Sequence, residues 1–381
     1  MPRTLLVTND FPPRTGGIQA YLGSLAALLP QDELVVYAPD WPGAEAFDRS
    51  APYAVHRHHS TLMLPLPDVV RRAAALARAE HCDTVWFGAA APLALLGPAL
   101  RRQGGIEHVV ASTHGHEVGL SRVPGGIRAL RRIGRTTDVL TAVSRFTQSR
   151  LGTVVAPAAA PVLLPPGVDT EVYRPDSAAR TELRERYRLG TAPVIACVSR
   201  LVRRKGQDEL IATLPAVRAR VPGTTLLLVG GGPEEPRLRR LARRHGVGEH
   251  VVFAGRVPTA ELAAHHAVGD VFALPCRTRY GGANVEGLGI AALEAAACGL
   301  PVVVGDAGGA PETVRPGETG LVVDGTDRGA LAASLCALLA DPQRAAAMGS
   351  AGREWMRQDW CWPAAVLQLQ TVLAGSAAQR A

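Results

Sequence analysis

Pro275-Cys276-Arg277-Thr278-Arg279-Tyr280-Gly281-Gly282-Ala283-Asn284-Val285-Glu286-Gly287-Leu288-Gly289, continued by Ile290-Ala291-Ala292-Leu293-Glu294-Ala295-Ala296-Ala297-Cys298-Gly299-Leu300-Pro301-Val302-Val303-Val304, reads as a loop, a helix and a strand. Gly281, Gly282, Gly287 and Gly289 let the backbone pass where a side chain would obstruct a ligand. Residues 291–298 are strong helix formers, Gly299 suits the C′ position, and 300–304 form an apolar strand. A glycine loop opening onto a helix N-terminus attracts anions, because unpaired amides point outward and the macrodipole favours phosphate. Glu286 and Glu294 are poor phosphate ligands but good acceptors for sugar hydroxyls. The stretch is therefore read as a nucleotide-sugar clamp.

The same strand, glycine loop and helix occur at the start of the chain, in residues 4–8, Asn9-Asp10-Phe11-Pro12-Pro13-Arg14-Thr15-Gly16-Gly17, and 18–29. Further apolar strands are expected at 34–38, 84–87, 108–112 and 139–143, and a second series at 194–198, 225–229, 251–254, 271–274, 301–304 and 320–323. Strands alternating with helices imply parallel α/β sheets. The uncharged Ala/Pro/Val stretch 152–167 is read as the linker, and 381 residues exceed the size of one core. The expected fold is two Rossmann-like doubly wound domains facing a central cleft at their strands' C-terminal edges. The expected domains are 1–165 for the acceptor, with a final helix at about 362–381 returning to it, and 166–361 for the nucleotide-sugar donor. Trp355, Trp360 and Trp362 near the bend before Pro363 either anchor that helix or pack locally.

Composition, with 47% hydrophobic and 20% charged residues, excludes disorder. Six scattered cysteines without a C-x-x-C pair suggest core thiols in a reducing cytosol rather than disulfides or a zinc ribbon. The longest uncharged runs are broken by proline and glycine, and no basic lead with a long apolar region precedes the first strand, so a cytoplasmic protein is expected. The net charge of +7 invites anionic partners. With 4% aromatics and no finger, helix-turn-helix or RNA-recognition signature, nucleic acid is not expected, whereas anionic small molecules and a membrane face fit.

At the end of strand 194–198, Ser199-Arg200-Leu201-Val202-Arg203-Arg204-Lys205-Gly206 places Arg200 and Lys205 to share one diphosphate, Arg203 and Arg204 being read as a surface pair. Gly16 and Gly17 fit either a phosphate loop or a tight turn. In His114-Gly115-His116-Glu117, after strand 108–112, His114 suits either a substrate hydrogen bond or a structural one. No P-loop, no G-x-S-x-G and no D-x-D is present, so arginine, lysine and a helix terminus, not a metal, are expected to neutralise a leaving diphosphate.

These pieces resemble the retaining glycosyltransferases of family GT4, which have the GT-B fold. Glu286 and Glu294 reproduce that family's E-x7-E signature, and Ser199-Arg200-Leu201 with Lys205-Gly206 reproduces its diphosphate loop. Thr8-Asn9-Asp10-Phe11-Pro12-Pro13, His114-Gly115-His116-Glu117, Pro275-Cys276-Arg277-Thr278-Arg279 and Val285-Glu286-Gly287-Leu288-Gly289 are similar to the actinobacterial phosphatidylinositol mannosyltransferases within it. The resemblance implies GDP-mannose as donor, phosphatidylinositol monomannoside as acceptor and no metal. It implies Arg200, Lys205, Gly17 and the Gly289 and Ile290 amides around the diphosphate, with Gly16 beside them. It places Glu286 on the donor sugar, Glu294 on the ribose, Gly255-Arg256-Val257 at the base and His114 at the reacting centre. Asn284 departs from the acid expected just before Val-Glu-Gly.

A lipid acceptor requires contact with a membrane. Arg122, Arg128, Arg131, Arg132 and Arg135, interleaved with Val123, Ile127, Leu130 and Ile133, read either as a basic amphipathic segment for anionic lipid or as a solvated helix face. The implied setting is peripheral, at the inner face of the plasma membrane. The rival expectations are a soluble GT4 enzyme using another NDP-hexose, a sugar-nucleotide epimerase and a non-catalytic sensor.

Overall fold

The apolar runs form two parallel sheets. In this computed structural model residues 2–155 and 161–375 are described. The first sheet contains β1 (Thr4–Val7), β2 (Leu34–Pro39), β3 (Ala54–His58), β4 (Thr84–Phe87), β5 (His108–Thr113), β6 (Val139–Ala142) and β7 (Val162–Leu163), in the order β3-β2-β1-β4-β5-β6-β7. The second contains β8 (Val194–Val198), β9 (Thr225–Val229), β10 (Val251–Gly255), β11 (Val271–Leu274), β12 (Val302–Gly305) and β13 (Gly320–Val323), in the order β10-β9-β8-β11-β12-β13. Both have the doubly wound order, with reversals between β1 and β4 and between β8 and β11. The central strands are buried on both faces, which is why they read as unbroken apolar runs rather than alternating ones.

The chain divides into two compact units, Met1–Gly167 with Trp362–Ala381, and Val168–Cys361. Residues 156–160 of the expected linker and 376–381 of the expected last helix lie outside the described residues. Within the first unit, the helix Trp362–Ala374 packs on the helix Gly17–Leu28 and on β5. His108 Nε2 lies 2.9 Å from the Val372 carbonyl, and the Gln368 amide donates to the Leu163 carbonyl at 2.6 Å. The tryptophans separate: Trp362 lies against Tyr21, with ring centroids 6.2 Å apart, whereas Trp355 and Trp360 meet edge to face within the second unit.

Two strands escaped the sequence reading. β3 is Ala-Val-His-Arg-His, too polar to announce itself, because it is an edge strand with partly exposed positions; β7 has only two residues. The strand expected at 301–304 begins one residue later, since Pro301 has no N–H for a ladder. Five cysteines are buried, but Cys361 is half-buried, so the expectation of core thiols fails there. Among the described residues no helix is long and apolar enough to cross a membrane.

Candidate active site

The loops leaving β8, β9, β10, β11 and β12 gather at the C-terminal edge of the second sheet, around its reversal point. Glycine makes the approach possible. Gly206, with φ +78°, lies so close to Pro275 that a Cβ would stand 2.0 Å from its carbonyl oxygen. The loop after β8 is thereby pressed on the loop after β11. Arg277 fastens the same two loops: its amide donates to the Arg204 carbonyl at 2.8 Å, and its buried guanidinium binds Asp208 at 2.6 Å and Glu209 at 2.9 Å.

This packing places Glu286 against two cations. Lys205 Nζ is 2.7 Å from Glu286 Oε2, and Arg204 Nε is 3.5 Å from the same oxygen. Burial alone would push the Glu286 carboxyl up, but Lys205 and Arg204 outweigh it and hold it below the ordinary range, so it is ionised at neutral pH. Its backbone is fixed from β12: the Gly309 N–H donates to the Glu286 carbonyl at 2.9 Å, and at Gly308, with φ +64°, a Cβ would meet that carbonyl oxygen at 1.9 Å. Arg204 is thus no surface partner of Arg203. It turns inward, while Arg203 pairs with Glu234 at 3.1 Å and stays half-exposed.

Gly289, with φ +102°, is the N-cap of the helix Ile290–Ala297, leaving Ile290 in the first turn. Glu294, one turn along, lies 3.3 Å from His266 Nε2. The adjacent Tyr173 hydroxyl has its pKa pushed up, first by burial and then by the Glu294 charge. Arg200 is exposed at the end of β8, and its carbonyl takes a hydrogen bond from the Gln207 amide at 2.9 Å. Arg256 is exposed and Val257 partly so, following Gly255 at the end of β10; the stem of Arg256 lies over Gly231. Asn284 closes a small turn through backbone bonds to Arg279 at 3.0 and 3.2 Å, a geometry that places no demand on its side chain.

In the first unit the β1 loop, the β4 end and the β5 end meet at the other reversal point. Gly17 opens the helix Gly17–Leu28 with Gly16 as its N-cap. The space beside Gly16 is filled by Gln19, whose amide donates to Asp10 at 2.6 Å. His114 Nε2 is 2.6 Å from the Gly88 carbonyl, which makes Nε2–H the donor and leaves the Nδ1 lone pair unprotonated. The His114 ring stands edge-on to Tyr21, and its amide donates to the buried Glu117 carboxylate at 3.0 Å. Burial lowers the His114 pKa more than Glu117 and the carbonyl raise it, so the ring is neutral at pH 7. His116 is exposed and leans on Glu117 at 3.2 Å.

Residues 179–355 match the family model for glycosyl transferases group 1, and residues 15–172 that for glycosyltransferase family 4. A relative from Mycolicibacterium smegmatis, named a GDP-mannose-dependent alpha-(1-6)-phosphatidylinositol monomannoside mannosyltransferase, is 57% identical, over 97% of this chain and 98% of its own. The chain belongs to the family 4 glycosyltransferases. A Corynebacterium glutamicum relative, named for a monoacylated form of that acceptor, is 47% identical across 94% of both chains. Among solved structures, an Anabaena protein in complex with UDP superposes with a TM-score of 0.84 at 21% identity, covering 98% of this chain and 99% of that one. Sucrose-phosphate synthase from Thermosynechococcus elongatus gives 0.82 at 24%, covering 97% and 98%. At such identities the likeness concerns fold alone, and it is the GT-B fold.

In this glycosyltransferase the structure brings Lys205, Glu286, Gly289 and Ile290 together, with Arg200, Arg256, Val257 and Glu294 along the same sheet edge, and gathers Gly16, Gly17 and His114 in the other unit. Gly308 was not picked out from sequence, Arg204 was read as a surface residue, and Arg277 stood only within the stretch 275–279 that carried the resemblance, without a role of its own. Gly308-Gly309 after an apolar strand is the same strand-end glycine signal seen elsewhere in the chain; the inward turn of Arg204 and the ion pairs of Arg277 leave no comparable trace.

Proposed function

We propose that the chain is a retaining α-mannosyltransferase that moves mannose from GDP-mannose to phosphatidylinositol monomannoside. The observation that carries this reading is the buried, ionised Glu286 clasped by Lys205 and Arg204 at the mouth of the helix Ile290–Ala297. The names and near full-length similarity of the mycobacterial and corynebacterial relatives supply the donor and acceptor.

In this account the second unit holds the donor. Arg200, Lys205 and the Gly289 and Ile290 amides receive the diphosphate. Glu286 accepts hydrogen bonds from mannose hydroxyls, Glu294 from the ribose, and the backbone at Arg256 and Val257 meets the base. The bond from the sugar C1 to the diphosphate breaks, a bond from C1 to the acceptor oxygen forms on the same face, and the acceptor proton leaves with GDP. The protein's share is positioning and charge stabilisation. His114, neutral and oriented by Gly88, offers Nδ1 as an acceptor near the reacting sugar. Arg200, Lys205 and the helix terminus take the part a metal would play where a D-x-D motif is present.

The first unit, with the helix Trp362–Ala374, would hold the acceptor at the cytoplasmic face of the membrane. Arg122, Arg128, Arg131, Arg132 and Arg135 are all exposed, on or just before the helix Pro124–Thr136, whereas Leu130 and Ile133 are buried in the unit. The apolar face is therefore used for packing, and contact with anionic lipid is electrostatic.

A donor panel tests the proposal. Purified protein with phosphatidylinositol monomannoside should turn over GDP-mannose and leave UDP-glucose untouched; the opposite preference would refute it. Conversion of the nucleotide sugar to its epimer without acceptor would point to an epimerase.

A further inference from the structure

His58, His59 and Asp68 lie in the first unit, and none of them is placed in the transfer reaction. His58 ends β3, His59 follows it, and Asp68 lies in the first turn of the helix Pro67–Ala79. One ligand atom from each falls within 4.8 Å of the others, and His58 Nε2 is 4.0 Å from Asp68 Oδ2. The two imidazole rings are tilted together with centroids 4.2 Å apart.

Three features distinguish this group from a chance surface cluster. His58 is buried, and its Nδ1 is held 2.7 Å from the Tyr37 hydroxyl, so that Nε2 faces the other two residues. A second hydrogen bond on the distal ring nitrogen is what orients metal-binding histidines. Within the described residues the His59 ring and the Asp68 carboxylate take no hydrogen bond, so both are available as ligands. Both are exposed, and small rotations bring them from 4.8 Å to the separation of about 3.3 Å that tetrahedral zinc with bonds of about 2.0–2.1 Å requires.

We propose that His58, His59 and Asp68 form a binding site for a divalent transition-metal ion of the zinc class. Two imidazoles and one carboxylate suit Zn²⁺, Cu²⁺ or Ni²⁺ and not Ca²⁺ or Mg²⁺, which want more oxygen ligands. Three protein ligands leave a fourth position for water. The ion would join the end of β3 to the helix Pro67–Ala79 and close the segment between them. That segment exposes Leu62, Leu64 and Leu66 and is already fixed at Met63 by a reciprocal pair of hydrogen bonds with Asn9, at 2.7 and 2.9 Å.

The test is Co²⁺ titration of the tag-free full chain, followed by visible absorption, with Zn²⁺ competing. One equivalent of Co²⁺ should give tetrahedral ligand-field bands, displaced by Zn²⁺ and not by Mg²⁺. His59→Ala and Asp68→Asn, both at exposed positions that leave folding intact, should each weaken binding at least about 10-fold. Tyr37→Phe, which removes only the bond to His58, should weaken it about 10- to 100-fold. Absence of stoichiometric binding, unchanged affinity in both His59→Ala and Asp68→Asn, or a thiolate charge-transfer band marking a cysteine ligand would each overturn the proposal.

Discussion

Replacing Lys205 by alanine isolates the interaction around which the second unit's site is built. At an effective dielectric of about 20, the gross attraction of Glu286 is about 6 kcal/mol to Lys205 at 2.7 Å and about 5 kcal/mol to Arg204 at 3.5 Å. Desolvation offsets much of this, and removing one partner of a buried pair costs about 3–5 kcal/mol because the other is left behind. Arg204 remains in Lys205→Ala, so the expected loss is about 2–3 kcal/mol, or roughly 5–10 °C in melting temperature for a unit of this size. Since the folded pKa of Glu286 is lowered, the pair contributes fully above the ordinary glutamate value of 4.5, and its contribution fades as pH falls below that value through the folded pKa. Losing Lys205 removes the larger of the two cationic attractions, so the carboxyl pKa rises from its wild-type value and adding Glu286→Gln should restore part of the stability. The assay is urea unfolding at pH 7, read by hydrogen exchange of β8 and β11 amides so that the second unit is followed by itself. A loss below about 0.5 kcal/mol, the size of an ordinary surface substitution, or no recovery in the double variant would refute the reasoning.

Three further outcomes are expected. Gly308→Ala, at φ +64° with a Cβ contact of 1.9 Å to the Glu286 carbonyl, should lower kcat/KM for mannosyl transfer by about 10²-fold while leaving the first unit's hydrogen exchange unchanged; wild-type kinetics would show that Glu286 is positioned otherwise. Because the His114 pKa is lowered, protonation of that ring should deplete activity only below its ordinary value of 6.5, and NMR titration of His114 should give a midpoint under 6.5; a midpoint above it would contradict the Gly88-bound neutral ring. Changing Arg131 and Arg132 together to serine should weaken sedimentation with anionic liposomes by roughly 30-fold, at about 1 kcal/mol per arginine, with no effect on neutral ones; unchanged sedimentation would remove this helix from the membrane face.

The sheets were legible because their central strands are buried on both faces: runs such as Val194–Val198 and Thr225–Val229 admit little else. β3 was not, since an edge strand spends its residues on local partners, among them the His58 contact with Tyr37. That Glu286, Lys205 and Gly289 share one sheet edge was legible from spacing, because loops at strand ends must carry both the glycines and the charges. The pairing of Lys205 with Glu286 was not: the 2.7 Å contact depends on Gly206 and Gly308 letting three loops close together, and no linear pattern records that approach. Arg204 shows the limit. In Arg203-Arg204-Lys205 three adjacent cations look alike, and only the 3₁₀ turn of that segment decides that the first faces Glu234 while the next two face Glu286.

The most direct test of the central claim is a single incubation of the protein with GDP-mannose and phosphatidylinositol monomannoside, with the lipid product analysed by mass and by the anomeric NMR signal of the new sugar. The account predicts a lipid heavier by one mannose in α-linkage, formed in step with GDP. GDP release with unaltered lipid, or a β-linked product, would contradict it.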